Sequence, residues 1–145
     1  MLCSVLLNQP TPDFRVVGVL RMPSSEGILA GRRILIVEDE YFLADDLMQI
    51  LHEHHAEILG PAATIDNALT LINAGEPIDC AVLDVNLRGQ AAYPISAALH
   101  RRNIPFLFAT GYGSAQIPKE FADVVRLEKP FDRTALVAAL ESILA

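Results

Sequence analysis

Val82-Leu83-Asp84-Val85-Asn86-Leu87 is the stretch that decides the fold, an apolar run that contains a single carboxylate, Asp84. A lone acid at the end of a buried strand needs a chemical reason, because an unpaired buried charge is costly. Two other stretches offer it partners. Ile34-Leu35-Ile36-Val37 runs directly into Glu38-Asp39-Glu40, and the last apolar run leads to Lys129-Pro130-Phe131. In an open α/β sheet, adjacent strand ends would bring these acids and this lysine into one crevice.

The composition is that of one folded domain. The chain has 145 residues, of which 52% are hydrophobic and 20% are charged, enough material for a core. Its 11 basic and 18 acidic residues give a net charge of −7, and the four charges within the first 31 residues cancel. The remaining chain carries the whole excess, which argues against direct binding to nucleic acid, because the phosphate backbone would repel it.

Cysteine use and hydropathy favour a cytoplasmic protein. Cys3 and Cys80 are far apart in the chain, so we expect no structural disulfide, and Cys80 is predicted to be a core residue in a reducing compartment. No stretch reaches the roughly 18 apolar residues that a membrane span needs, so no membrane insertion is expected. The N-terminus lacks a basic region and its apolar run ends at Asn8, which makes it a poor signal peptide.

Residues 1–31 are predicted to form a flexible or loosely docked N-terminal extension. Prolines, serines and glycines punctuate it, and its one β-like patch is short, at residues 14–20. The alternative is that the natural chain starts at Met22, and the sequence leaves both readings open. Residues 32–145 are then the folded domain, and we expect no output domain after residue 145.

From Arg32 onward, apolar runs alternate with helical patterns, which is typical of βα units and a parallel sheet. Near-continuous apolarity predicts that the first, third and fourth strands are central, and Pro61 predicts that the second is an edge. Right-handed crossovers then give an α/β fold, a three-layer doubly wound (βα)5 sandwich. Strands are predicted at about 33–37, 57–60, 79–84, 106–109 and 124–127, and helices at about 41–54, 64–74, 91–102, 114–122 and 132–144.

Polar groups close the strands at their carboxyl ends. Three carboxylates in one crevice repel each other, so a divalent cation is expected, and oxygen ligands favour Mg²⁺ over zinc. One carboxylate could then attack a phosphorus centre while the metal and an ammonium offset the developing charge, and a hydroxyl could bind a further oxygen. These five groups are Glu38, Asp39, Asp84, Thr110 and Lys129.

Residues 32–145, with these groups in this order, resemble the receiver domain of two-component response regulators. The resemblance implies that Asp84 is the phosphoacceptor and that Asp39 ligates Mg²⁺ directly. It implies that Glu38 acts mostly through metal-bound water, and that the backbone carbonyl of Asn86 is the remaining protein ligand. Thr110 matches the switch hydroxyl of the family, and Lys129 matches its invariant lysine, which precedes a cis proline. The family also implies a flavodoxin-like parallel sheet with strand order 2-1-3-4-5.

The switch region departs from the usual family pattern. Most receivers have an aromatic residue three positions before the lysine, and here that position is Arg126. The usual threonine-to-aromatic relay is therefore unavailable, and residues 105–113 resemble a subclass, often stand-alone, with Phe-Ala-Thr-Gly and no such aromatic. Because Gly111 and Tyr112 belong to a glycine-rich loop, we expect phosphorylation to act by ordering residues 110–122. An edge strand that faces solvent would also carry Arg126 without any function.

The resemblance implies a stand-alone receiver rather than an enzyme with a separate substrate. It would accept a phosphoryl group from a sensor histidine kinase or a histidine phosphotransfer protein, and it would catalyse its own phosphorylation and dephosphorylation. Its output would then be a protein contact or a phosphate sink. A phosphorylation-dependent homodimer through the faces of the fourth and fifth helices is left open.

Rival readings of the same residues are weaker. A phosphatase of the haloacid dehalogenase type also uses a strand-end aspartate with Mg²⁺, but it needs a second aspartate at the position of Asn86. A dinucleotide-binding module needs a glycine-rich turn where this chain has Glu38-Asp39-Glu40. A degenerate receiver would lack the residues that are present here. The histidines at 52, 54 and 55 suit a helix C-terminus better than a zinc site.

Overall fold

Strands and α-helices alternate along the chain, as the apolar periodicity predicts. The computed structural model describes residues 27–111 and 117–145. The strands are β1 Arg33–Val37, β2 Glu57–Ala62, β3 Cys80–Asp84, β4 Asn86–Leu87, β5 Gln90–Ala91, β6 Phe106–Thr110 and β7 Arg126–Glu128. The α-helices are α1 Tyr41–Glu53, α2 Ile65–Asn73, α3 Tyr93–Arg101 and α4 Arg133–Leu144.

The main sheet is parallel, with the strand order β2-β1-β3-β6-β7. Numbered among themselves, its five strands have the order 2-1-3-4-5, so the predicted flavodoxin-like topology is confirmed. Val37 pairs with Leu83, Asp84 with Ala109, and Thr110 with Glu128. This register brings the carboxyl ends of four adjacent strands to one edge of the sheet.

Alternate residues of the central strands enter two different cores. On one face Leu35, Leu83 and Phe108 belong to a cluster that includes residues of α2 and α3. On the other face Ile36 and Val82 belong to a cluster that includes residues of α1 and α4. The sheet is thus the middle of three layers, which explains why these strands are apolar on both faces.

The second strand is an edge strand, as predicted, but it continues past the predicted end to Ala62. Proline is tolerated there because the outer side of an edge strand needs no N–H donor. After the cis Gly60-Pro61 peptide, the carbonyl of Ala62 accepts a hydrogen bond from the N–H of Glu38 at 2.9 Å. The end of β2 therefore helps to fix the start of the acidic stretch.

The helix predicted at 114–122 is wrong over its described part. Residues 119–121 form a single 3₁₀ turn, and Pro118 before them is extended, with φ −58° and ψ 150°. Proline has no N–H to donate, and among residues 117–122 only Phe121 is buried, so little in this part favours a longer helix. Residues 114–116 lie outside the described residues. The described chain has four α-helices where five were predicted.

The loop predicted around residues 88–90 is a small hairpin. Strands β4 and β5 pair antiparallel, joining Asn86 to Ala91 and Leu87 to Gln90. The helix predicted from residue 91 consequently starts at Tyr93. This hairpin begins two residues after Asp84, so it lies close to the carboxyl end of β3.

The last residues of the predicted N-terminal extension, 27–31, are described, and two of them contact the domain. Leu29 is 1% exposed and belongs to the cluster with α1 and α4, and the N–H of Gly31 donates to the carbonyl of His55 at 2.8 Å. Leu29 and Gly31, within the predicted extension, therefore contact the folded domain. In the described residues, no helix has the length and apolarity that crossing a membrane would require.

Candidate functional site

Three carboxylates meet at the carboxyl ends of β1 and β3. Glu38 and Asp39 follow β1, and Asp84 is the last residue of β3. One oxygen from each of the three lies within 4.8 Å of the others. Glu38 is 3% exposed and Asp84 is also buried. Adjacent strands of a parallel sheet place these side chains together because their ends share one edge.

Lys129 supplies the cation of this cluster. Its Nζ donates to Asp84 Oδ2 at 3.1 Å and to Glu38 Oε1 at 3.2 Å. The lysine follows β7, and its backbone N–H donates to the carbonyl of Thr110 at 2.8 Å. The following Lys129-Pro130 peptide is cis, as the family resemblance implies.

Burial and charge repulsion shift the acid–base properties of the cluster. Burial, with a further contribution from the Asp84 carboxylate, raises the pKa of Glu38 from 4.5 to about 7. For Lys129, burial acts to lower the pKa, but Asp84 and Glu38 outweigh it and raise the pKa above its ordinary value. Lys129 is therefore protonated at neutral pH. Glu38 ionises less readily than an ordinary glutamate, and additional positive charge nearby would favour its ionisation.

The donor set fits a divalent cation with oxygen ligands. Three carboxylates with one ammonium leave excess negative charge in a buried place, and one Mg²⁺ would offset it. Glu38, Asp39 and Asp84 each have an oxygen close enough to the others to share such an ion. Asn86, whose carbonyl is the further expected ligand, is two residues after Asp84. No nitrogen or sulfur ligand accompanies these oxygens among the described residues, which disfavours zinc.

Backbone amides hold the carboxylates in place. The N–H of Asn86 donates to Asp84 Oδ1 at 3.0 Å, and the N–H of Glu40 donates to Glu38 Oε2 at 3.0 Å. The N–H of Arg88, at the tip of the β4–β5 hairpin, donates to Asp39 Oδ2 at 2.9 Å. Sequence reasoning missed this last contact. The Arg88-Gly89 dipeptide signals a turn, but nothing local says which group the turn meets.

Thr110 is the last residue of β6 and is buried at the same edge of the sheet. Gly111 follows it, and Tyr112 lies outside the described residues. Arg126 is exposed on the edge strand β7. Thr110, Gly111, Ile117, Arg126 and Glu128 line a cavity of about 300 Å³. Arg126, at the position where most receivers have an aromatic residue, thus borders a recess next to Thr110.

Two exposed aromatic side chains come directly after the acidic stretch 38–40 in the chain. Tyr41 and Phe42, the first residues of α1, are 73% and 79% exposed. Their rings contact each other edge to face, with centroids 5.3 Å apart. Large apolar side chains at this degree of exposure are the kind of surface that a protein partner covers.

Comparison with known proteins gives one consistent result. The family model of the response regulator receiver domain matches residues 34–141. The transcriptional regulatory protein PdtaR of Mycobacterium tuberculosis is 30% identical over 114 residues, which are 76% of this chain and 55% of PdtaR. LytT of Bacillus subtilis, a sensory transduction protein, is 30% identical over 113 residues, which are 75% of this chain and 46% of LytT. This chain therefore spans about half the length of these curated relatives.

Among solved structures, the match extends over the whole length of the matched protein. The solution structure of SdrG from Sphingomonas melonis Fr1 is 39% identical, with a TM-score of 0.72, and the match covers 81% of this chain and all of SdrG. A BeF3-activated conformation of SdrG, from Pseudomonas melonis Fr1, is 39% identical with a TM-score of 0.68 over the same shares of both chains.

Proposed function

The chain belongs to the response regulator receiver domain family, and we propose that Asp84 is the residue on which it accepts a phosphoryl group. The observation that carries this proposal is the position of Lys129. Its ammonium contacts Asp84 Oδ2 and Glu38 Oε1 together, at the place where the oxygens of an incoming phosphoryl group would need a cation.

We infer that Asp84 acts as the nucleophile. Its two oxygens each accept one hydrogen bond, from Asn86 and from Lys129, and a carboxylate has lone pairs left after two such bonds. One oxygen attacks phosphorus, the bond from phosphorus to the donor's imidazole nitrogen breaks, and the imidazole leaves with the electron pair. Lys129 and the Thr110 hydroxyl bind the transferred oxygens. Asp39, Asp84 and the Asn86 carbonyl would hold Mg²⁺, which supplies charge stabilisation for the transferring group.

The phosphatase alternative has no support from the matched family. The residue two positions after Asp84 is Asn86, whose amide cannot serve as the general acid that a haloacid-dehalogenase phosphatase needs. The proposed activity is therefore the receipt and loss of one phosphoryl group on the protein itself.

Acetyl phosphate with Mg²⁺, followed by intact-mass measurement, tests the proposal. We expect wild type to gain one phosphoryl group and Asp84→Asn to gain none. The same incubation in excess EDTA should leave wild type unmodified, because the carboxylate cluster is then without its cation. No gain in wild type, or an equal gain in Asp84→Asn, would reject Asp84 as the acceptor. An exposed aspartate, Asp66→Asn, is the matched control.

For the protein partner, we propose a phosphohistidine donor, either a sensor histidine kinase or a phosphotransfer protein, that covers Tyr41 and Phe42. A donor must bring its phosphoryl group to Asp84, and these exposed rings come directly after the acidic stretch 38–40 in the chain. We expect Phe42→Ala to slow transfer from a phosphorylated histidine phosphotransfer domain at least several-fold, while the rate with acetyl phosphate stays within twofold of wild type. Equal slowing with both donors would show a defect in the site and not in docking.

A further inference from the structure

The β4–β5 hairpin carries an arginine where a turn of its kind favours other residues. Arg88 and Gly89 are the two linking residues, and their φ angles are +52° and +86°. A two-residue hairpin loop with positive φ at both positions is a type I′ turn, which prefers Asn-Gly or Gly-Gly. A left-handed φ is uncommon for arginine. A backbone outlier next to a reactive site justifies asking what the side chain does.

Local hydrogen bonds explain the turn but not the arginine. The N–H of Arg88 donates to Asp39 Oδ2 at 2.9 Å, and the N–H of Gly89 donates to the side-chain oxygen of Asn86 at 2.8 Å. Asparagine or glycine at position 88 would offer the same backbone N–H with less strain. Some property of the guanidinium is needed to account for the residue.

The guanidinium of Arg88 is free within residues 27–111 and 117–145. The side chain is exposed, and it makes no hydrogen bond or ion pair with a described residue. Arg33, by contrast, pairs with both Glu57 and Glu76. Because its own N–H contacts Asp39, Arg88 is anchored at the rim of the carboxylate cluster, and its long side chain can extend over the entrance.

The net charge of the carboxylate cluster suggests a role for the Arg88 guanidinium. When ionised, Glu38, Asp39, Glu40 and Asp84 carry four negative charges against the one positive charge of Lys129. A divalent metal ion still leaves one negative charge, and a phosphoryl donor brings about two more near neutral pH. One further cation at the rim would reduce the repulsion of the donor.

We propose that Arg88 is a specificity-determining residue that attracts the dianionic phosphoryl group of the donor to Asp84. The inference rests on the proposed function of Asp84. With acetyl phosphate, an Asp84 oxygen bonds to phosphorus, the bond from phosphorus to the acyl oxygen breaks, and acetate leaves with the electron pair. With phosphoramidate, the phosphorus–nitrogen bond breaks and ammonia leaves. Arg88 stays outside the bond changes and acts on the approach of the anion.

Acetyl phosphate and phosphoramidate differ in net charge, so comparing their rate constants tests whether Arg88 acts by attracting charge. Acetyl phosphate carries a net charge near −2 at neutral pH, and phosphoramidate, with its nitrogen protonated, carries about −1. We expect Arg88→Asn to lower the second-order rate constant with acetyl phosphate about 3- to 10-fold and with phosphoramidate by less. Arg88→Lys should keep most of the wild-type rate. Raising the ionic strength from about 0.03 M to about 0.3 M should slow wild type toward the Arg88→Asn rate.

Arg88→Asn is expected to fold, because asparagine suits a type I′ turn better than arginine does. Its melting temperature should equal or exceed that of wild type, and its Mg²⁺ affinity by calorimetry should not fall. Arg101→Asn removes the same charge at the end of α3, on the opposite edge of the sheet, and should leave both rate constants unchanged. It is the matched control.

Equal rate constants for wild type and Arg88→Asn with both donors would overturn the proposal. So would an equal loss with both donors at every ionic strength, or a loss that follows a weaker Mg²⁺ affinity, since Arg88 would then act through the turn. Wild type that gains no phosphoryl group would instead defeat the proposed function of Asp84. In that case, ³¹P line broadening of inorganic phosphate with Mg²⁺ still decides about Arg88, because equal broadening by wild type and Arg88→Asn would reject it.

Discussion

At the residue scale, the site pairs one firm cation with a carboxyl group that is reluctant to ionise. Glu38 is nearly inaccessible to solvent and shares Lys129 with Asp84. Its pKa is raised to about 7 mainly by burial and next by the Asp84 charge. The cluster is therefore strained electrostatically at neutral pH without a metal ion, and a divalent cation would relieve that strain.

This strain predicts a specific dependence of stability on pH. The folded-state pKa of Glu38, about 7, lies above its ordinary 4.5, so its stabilising contribution is present below pH 4.5 and is lost as the pH rises through 7. Glu38→Gln has no carboxyl group to ionise at this position, so its stability should not fall for this reason as the pH rises. In EDTA, we expect Glu38→Gln to gain stability relative to wild type between pH 5 and pH 8 by roughly 2–3 kcal/mol.

Urea denaturation at several pH values measures the difference in the free energy of unfolding. Glu120→Gln changes an exposed carboxylate on the 3₁₀ turn and should follow the wild-type curve. Mg²⁺ should stabilise wild type more than Glu38→Gln, because a ligand stabilises the state that binds it. Parallel curves for wild type and Glu38→Gln in EDTA would contradict the assignment of the strain to Glu38.

At the element scale, an aromatic cluster anchors the segment after β6. The ring of Phe121 lies 6.1 Å from Phe106, 6.2 Å from Phe108 and 6.1 Å from Tyr93, measured between centroids. The other end of the segment is Thr110, whose carbonyl accepts the N–H of Lys129. The segment between them is thus held by the buried Phe121 ring at one end and by Thr110, beside the site, at the other.

We expect phosphorylation to increase order between these two anchors. With beryllium fluoride and Mg²⁺, amide hydrogen exchange of residues 110–122 should slow at least several-fold, because the Thr110 hydroxyl moves onto the bound group and draws the segment with it. A BeF3-activated conformation of SdrG has been solved, which makes the reagent suitable. Asp84→Asn is the control and should show no change. Identical protection of residues 110–122 with and without the reagent would rule out this switch.

At the scale of the whole molecule, the sheet joins three distant pieces of chain. Lys129 is 91 residues from Glu38 and 45 from Asp84, yet adjacent strand ends bring them into contact. In the same topology, the amino ends of the strands and the C-termini of α1 and α3 lie on the opposite side of the molecule from the site. Residues 27–31 dock near that far edge through Leu29 and Gly31.

The boundary of the folded domain can be measured by truncation. We propose that residues 1–26 can be removed, so that a chain starting at Gly27 should melt within about 2 °C of the full chain. A chain starting at Gly31 loses the buried Leu29 side chain, worth about 2–3 kcal/mol, and should melt several degrees lower. Leu29→Ala in the full chain is the matched variant and should cost about 2–5 kcal/mol. Equal melting temperatures for both truncations would show that Leu29 contributes nothing.

The sequence alone determined the alternation of strands and helices and the strand ends that carry Glu38, Asp39 and Asp84. Apolar periodicity, capping residues and chain breakers are local signals. Thr64, for example, caps α2 by accepting the N–H of Asn67. The strand order came from the family resemblance, which the matched family and the sheet bear out.

Only the tertiary structure decided which groups touch and how strongly they interact. It placed Lys129 between two carboxylates, brought the Arg88 N–H to Asp39 and buried Leu29. It also formed a 3₁₀ turn at residues 119–121, within the described part of a predicted helix. These outcomes depend on contacts between residues far apart in the chain and on burial, which lowers the local dielectric and so sets the pKa of Glu38. The sequence specifies which residue types are available for such contacts, whereas the folded sheet determines the distances between them.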